Sequence, residues 1–370
     1  MRIERCEAWP VELDLAEPFS IAYSTIDSTV NYFLRLETDR GLLGYGCAAP
    51  DEEVTGENAA SIRQALNEVA IPILRSADLR YTSRLLSEIH FHLADQPTAA
   101  AAADIAIFDL LARSAGIPLY QYLGAYRDSI VTSITIGIMP LEDTLRKARK
   151  WKSRGFRAIK LKGGLDLEGD IEKVQRLREL LGPETALRFD ANQGYSRSEA
   201  LRLIGEVGQE LEFLEQPCGR EDVRAFGELR VGRRVDASDC PLMADEAVLG
   251  PEDTFALIAA TEEGGLERVG AKRKGPELCN IKLAKSGGIR RAAAMDSVAA
   301  AAGVGTMVGC MDEAGLGVAA GLAFALSSPN VRYADLDGHL EFLNDPSAAA
   351  LRLEDGLLYP LEAEGLGINP

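Results

Sequence analysis

The stretch AIKLKGGLDLEGDIEKVQRLRELLGPETALRFDAN, residues 158–192, decides the fold. It opens on a short apolar strand, Ala158–Lys162, and closes on another, Ala186–Asp190, with a helical period over Asp166–Leu181 between them. Two strands joined by a crossover helix lie parallel in one sheet. The same alternation runs outward in both directions. Strands read at Ile130–Ile138, Phe213–Glu215, Leu242–Asp245, Leu278–Leu283, Gly305–Cys310 and Val331–Asp335, and helices at Leu141–Arg154 and Ser196–Val207. Eight such strands predict an α/β chain with a parallel barrel over residues 128–338. An open doubly wound sheet uses fewer strands and usually a glycine-rich first turn. Gly315, Gly317 and Gly321 have the wrong last spacing for that turn and read as close helix–strand packing.

Residues 1–127 have a different grain and read as an α+β unit. Alternating strands Ile3–Leu13 and Val30–Glu37 are followed by the turn Asp39-Arg40-Gly41 and a strand at Leu42–Cys47. Helical periods follow at Ala59–Val69, Ser83–Leu93 and Ala99–Ala115, the last stopped by Gly116-Ile117-Pro118. The tail, residues 339–370, is expected to fold back onto this first unit.

The length of 370 residues suits a barrel of about 200–250 residues plus a second unit. A net charge of −17 argues against a nucleic-acid partner, and the one basic cluster, Arg268 to Lys274, reads as a solvated loop. Six scattered cysteines include no CxxC pair, so neither a zinc site nor a disulfide framework is expected. The opening MRIERCEAWPVELDLAEPF has no apolar run of signal-peptide length, and no stretch reaches the roughly 20 apolar residues of a membrane span. A reduced, cytoplasmic location without a membrane partner is the expectation.

Barrel enzymes build their sites at the C-terminal ends of the strands. Those ends carry Lys160-Leu161-Lys162, Asp190-Ala191-Asn192, Glu215-Gln216-Pro217, Asp245-Glu246, Lys282, Cys310 to Glu313, and Asp335 with Asp337. Asp190, Glu215 and Asp245 come from consecutive strands. Each alone reads equally well as a salt bridge to a neighbouring lysine, but three together point to a divalent cation. All-oxygen ligation favours Mg²⁺, with Mn²⁺ as a substitute. Lys160 and Lys162 share one face of their strand, and Lys282 lies across the barrel from them. Two lysines facing one carbon could remove a proton from one face and return it to the other. A metal on the neighbouring carboxylate would stabilise the enediolate between these steps.

AIKLKGG (158–164), RFDANQGY (188–195), FLEQP (213–217), MADE (243–246) and NIKLAKSGG (280–288), taken together, resemble the enolase superfamily in its muconate-lactonising subgroup. PFSIAYS (18–24) and EVTGE (53–57) resemble that family's capping domain. The resemblance implies a modified TIM barrel, (β/α)7β, with an α+β N-terminal capping domain whose loops close over the barrel mouth. It implies Asp190, Glu215 and Asp245 as Mg²⁺ ligands, Lys162 and Lys282 as the acid/base pair, Lys160 on the substrate carboxylate, and a homo-oligomer. VGCMDE (308–313) has no histidine, which disfavours the mandelate-racemase branch; His90, His92 and His339 read as structural. Asp335-Leu336-Asp337 and CMDE (310–313) look like those of dipeptide epimerases, which places Cys310, Asp312, Asp335 and Asp337 among the substrate-binding candidates. The longer, basic GGLERVGAKRKG connection (264–275) departs from their pattern.

The leading expectation is a Mg²⁺-dependent dipeptide epimerase acting on the α-carbon of the C-terminal residue. An N-acylamino-acid racemase or o-succinylbenzoate synthase, whose substrates carry no ammonium, stays open, as does a cycloisomerase of the same superfamily; a binding protein without turnover is disfavoured by the intact triad and lysines. No Arg or Lys occurs from Ser20 to Tyr32, which argues against an acidic substrate side chain. Asp27, Asp51, Glu52 and Glu53 leave cationic side chains open, and apolar ones need no charge.

Overall fold

The computed structural model describes residues 1–22, 24–232, 240–260 and 275–370. The basic stretch Arg268 to Lys274 lies outside them. Three antiparallel strands, β1 (Ile3–Ser20), β2 (Thr25–Thr38) and β3 (Leu43–Ala48), form the first sheet. Helices pack against it, chief among them Pro97–Ala115. Glycine makes that packing possible: a Cβ on Gly46 would sit 1.9 Å from the Ala102 carbonyl oxygen, and one on Gly44 2.6 Å from that of Ala106. Gly46→Ala is therefore expected to destabilise the protein by about 2–3 kcal/mol in urea unfolding, since neither backbone can withdraw.

β1 and β2 run much longer than their hydrophobic alternation indicates. β3 pairs with β2 only from Tyr32 to Glu37, so the far half of the hairpin is a two-stranded ribbon with no helix-covered face to impose a period. The ribbon lies on the barrel mouth, where the Ala16 N–H donates to Glu341 O at 2.9 Å and the Ile138 N–H to Ser20 O at 2.7 Å.

The expected first barrel strand is two pieces. β4 (Ile130–Val131) pairs with the C-terminal hairpin, and β5 (Ser133–Ile136) opens the barrel. Between them the Thr132 N–H bonds to Gly356 O, which turns the chain from one sheet to the other. The barrel continues with β6 (Ala158–Lys162), β7 (Ala186–Asp190), β8 (Phe213–Glu215), β9 (Leu242–Ala244), β10 (Leu278–Lys282), β11 (Gly305–Gly309) and β12 (Val331–Asp335), each parallel to the last. A parallel bridge from Thr132 to Ala334 brings β12 against the first strand. β13 (Leu351–Glu354) and β14 (Leu357–Pro360) form the hairpin. The tail then returns to the first unit, where Asp109 accepts the Leu366 N–H at 2.7 Å.

A cluster of Phe213, Met243, Leu278 and Met307, with Tyr333 against it, fills the barrel on the side away from the strand ends. The carboxylates and lysines at the strand ends gather at the opposite rim. Among the described residues no helix is long and apolar enough to cross a membrane.

Candidate active site

Register puts the acidic residues in one layer. Lys162 pairs with Asp190 and Asp190 with Glu215 across β6, β7 and β8, and Asp245 follows directly on β9. Oxygens of Asp190, Glu215 and Asp245 lie within 4.8 Å of one another, all buried, and this is the one such cluster among the described residues. Backbone at the rim supports them. Asn192, Gln193 and Gln216 adopt positive φ of 41°, 69° and 33°, a costly conformation that clusters at functional sites. The Gln216 side-chain oxygen accepts the Asp245 N–H at 2.9 Å and the Ala247 N–H at 3.2 Å, fixing the turn that carries the third carboxylate.

Buried like charges need compensation, and four lysines supply it. Lys160 Nζ lies 3.3 Å from Asp190 and 3.2 Å from Glu215, and Lys162 Nζ lies 2.7 Å from Asp190. Lys282 Nζ lies 2.9 Å from Asp245 Oδ2, and Lys285 Nζ 2.5 Å from its Oδ1 and 2.6 Å from its carbonyl oxygen. Burial opposes the charged forms of Lys160 and Lys282, yet the surrounding carboxylates hold both well above the ordinary lysine value, Asp335 foremost for Lys160 and Asp245 for Lys282. Burial likewise works to raise Asp190 and Asp245, and their lysine partners outweigh it and lower both. Glu215 goes the other way, pushed up by burial and then by Asp190. Lys285 escaped the sequence reading. Its signal is the helical spacing after Lys282 in KLAKSGG, which returns its ammonium toward the strand end.

The donor set fits a divalent cation. Asn192 Oδ1, Glu246 Oε2 and Asn280 Oδ1 are buried acceptors with no hydrogen-bond donor. Their side chains border the triad: Asn280 Nδ2 donates to Glu215 at 2.7 Å, and Asn192 links Asp190 to the neighbouring Glu246, its N–H to Asp190 at 2.9 Å and its Nδ2 to Glu246 at 3.1 Å. Waters carried by an oxygen-ligated Mg²⁺ would supply the missing donors.

A cavity opens above this layer, lined on the barrel side by Lys160, Lys162, Lys282, Asp312, Asp335 and Asp337, and on the other by Leu15, Phe19, Ile21 and Asp51. β6 and β10 are four places apart in an eight-stranded order, so Lys162 and Lys282 face each other across it. Of the two candidate aspartates at the end of β12, Asp335 already has a cationic partner within the chain. Its Oδ2 accepts from Lys160 at 2.5 Å and its Oδ1 from the Ser133 hydroxyl at 2.5 Å, and these hold its carboxyl low against the effect of burial. Asp337 accepts the Thr135 N–H at 2.6 Å, with no Lys or Arg bridged to it among the described residues; burial and then Asp335 push its carboxyl up. Cys310 sits at the same wall, its thiol donating to Asp335 O at 3.3 Å. The Asp312 carboxyl is raised to about 6 by burial and by Asp51. The histidines stand apart: His90 bonds to Gly287 O at 2.8 Å, and His339 is buried in the segment after β12.

Residues 6–124 match the mandelate racemase / muconate lactonizing enzyme N-terminal domain, and residues 143–370 the enolase C-terminal domain-like family. The L-Lys-D/L-Arg epimerase of Desulforapulum autotrophicum is 40% identical over 370 residues, spanning 100% of this chain and 99% of that one. The structure of the dipeptide epimerase from Methylococcus capsulatus, complexed with Mg and the dipeptide L-Arg-D-Lys, aligns with a TM-score of 0.89 at 37% identity, covering 99% of each chain. A substrate-liganded complex of the L-Ala-D/L-Glu epimerase from Bacillus subtilis aligns with a TM-score of 0.90 at 31% identity, covering 99% of this chain and 98% of that one. Similarity that runs unbroken through both the sheet unit and the barrel shows that the chain belongs to the enolase superfamily, in the company of its dipeptide epimerases.

Proposed function

We propose that the protein is a Mg²⁺-dependent dipeptide epimerase that passes the α-proton of the C-terminal residue between two lysines. The observation that carries this reading is the pair Lys162 and Lys282 on opposite walls of one cavity, each touching a different carboxylate of the triad. Asp190, Glu215 and Asp245 would hold the cation, which supplies positive charge for the substrate carboxylate as the carbon beside it is deprotonated. Lys160 binds that carboxylate from the barrel floor. With its carboxylate partner engaged by a cation instead, one lysine would be free to start neutral and take the α-proton from one face, and the other, starting as ammonium, would deliver one to the opposite face. Leu15, Phe19 and Ile21 cover the cavity and exclude water.

Charge around the cavity indicates the side chain. Asp51, Asp312 and Glu341 line it, and the Ser20–Tyr32 stretch offers no base. A lysine or arginine side chain on the dipeptide meets this acidic wall, in keeping with the cationic substrates named for the two relatives most like it above. The Lys or Arg dipeptide is expected to be turned over with at least about tenfold higher kcat/KM than its Glu counterpart, because an acidic side chain here would be left beside like charges.

An N-acylated amino acid is the second reading, favoured by the engagement of Asp335 with Lys160, which leaves Asp337 as the unbridged member of the Asp335 and Asp337 pair for an ammonium. A free dipeptide and its N-acetyl form, compared by α-proton exchange in deuterated water, separate the two. Acetylation is expected to lower kcat/KM by roughly 30-fold or more, the equivalent of a stranded buried charge at about 2–5 kcal/mol. Equal values for both compounds discard the dipeptide reading.

A further inference from the structure

Beneath the triad the barrel axis carries a polar column that the reaction as described does not use. Arg188 lies two residues before Asp190 on β7, hence on the same inward face one layer lower, and is 3% exposed. Its guanidinium lies over the rings of Phe213 and Tyr333 at 5.3 and 5.2 Å. Nε donates to Glu212 at 2.8 Å, and Nη1 to Ala334 O at 2.7 Å and to the Ser133 hydroxyl at 2.9 Å. Since Ser133 Oγ accepts from Arg188, its single proton is directed to Asp335 Oδ1, 2.5 Å away. Asp335 Oδ2 in turn receives Lys160 Nζ at 2.5 Å. The donors run in one direction from Arg188 through Ser133 to Asp335, and Lys160 closes the chain from the other side.

We propose that Ser133 and Arg188 are positioning residues for the reaction: they fix Asp335, and through it hold the Lys160 ammonium where the substrate carboxylate must bind. The inference rests on the epimerase reading above. Lys160 has a flexible stem, and its other partners, Asp190 and Glu215, are the carboxylates proposed to serve a cation. An ammonium that shared those oxygens with a divalent ion would be repelled. It stays in place only if a carboxylate outside the triad holds it, and Asp335 is that group. Filling space is not a sufficient account of the column, because an apolar plug of Phe213, Met243, Leu278 and Met307 closes the same barrel, and buried polar groups cost free energy unless every one is bonded.

The test is a double-mutant cycle on Ser133→Ala and Asp335→Asn in the full-length protein with Mg²⁺, following α-proton exchange of a Lys- or Arg-containing dipeptide by NMR. Ser133→Ala is expected to lower kcat about tenfold, with KM within about threefold and the melting temperature within about 2 °C, since a loosened but intact site loses alignment rather than binding. The double variant is expected to be no slower than Asp335→Asn alone within about twofold, because a residue that acts only through Asp335 has nothing left to act on. Losses that add in full, or a Ser133→Ala kcat within twofold of the unaltered enzyme, overturn the inference. The two readings fail differently: no exchange by the unaltered protein with any dipeptide overturns the functional reading, whereas equal exchange by it and by Ser133→Ala overturns the positioning role alone.

Discussion

Lys162→Ala and Lys282→Ala are each expected to abolish interconversion of the two stereoisomers, while each variant should still exchange the α-proton of one configuration with solvent. This one-sided result follows from the geometry. The lysines stand on β6 and β10, on opposite walls of the cavity, so removing one leaves a base beside a single face of the substrate. A positioned general base contributes on the order of 10²–10⁴-fold, and epimerisation needs both lysines in turn, so the loss in kcat is expected to be at least that large. Deuterium incorporation into separate L,L and L,D dipeptides, read by NMR for each variant, gives the pattern directly. A Lys282→Ala enzyme that interconverts both isomers at the normal rate rules out the two-base mechanism.

Removal of the divalent cation by a chelator is expected to abolish turnover, and Mg²⁺ to restore it. The lysines that neutralise the triad in the cation's absence should keep the stripped protein folded. Glu215→Gln is the clean variant: it keeps the Asn280 neighbour, removes one of the three proposed ligands, and should weaken Mg²⁺ binding by at least about 100-fold in calorimetric titration, as loss of a charged ligand does. Asp245→Asn should lose metal too, but at a further cost. Lys285 is 1% exposed and has Asp245 as its carboxylate partner, so the amide strands a buried ammonium and should destabilise the fold by about 3–5 kcal/mol. Full activity in exhaustively metal-free buffer would sink the metal assignment for both.

The barrel was legible from Ala158 onward because its strands are short apolar runs that end on charge, a pattern packing alone does not produce. The triad and the facing lysines were legible for the same reason: inward charge at successive strand ends has few physical outlets. What stayed hidden depends on partners distant in sequence. Ser133 and Asp335 are 202 residues apart, and nothing near either one signals that a serine hydroxyl holds that carboxylate. Arg188 read as part of a motif without a task, since its rings and its acceptors come from β8, β12 and Ser133. The ribbon half of β1 and β2 escaped because it rests on the barrel mouth rather than on a core of its own, so no alternation marks it.

That ribbon divides the molecule's obligations. Proton transfer depends on side chains locked in the barrel layers, where one change disturbs several charged partners at once. Leu15, Phe19 and Ile21 sit on a two-stranded extension that β3 does not reach and that the 341–343 segment and the barrel mouth hold. Sequence drift in the extension reshapes what fits beneath it while leaving the chemistry below untouched. A lineage built this way can change its diet of side chains by rewriting a short hairpin, with the barrel machinery beneath left as it is.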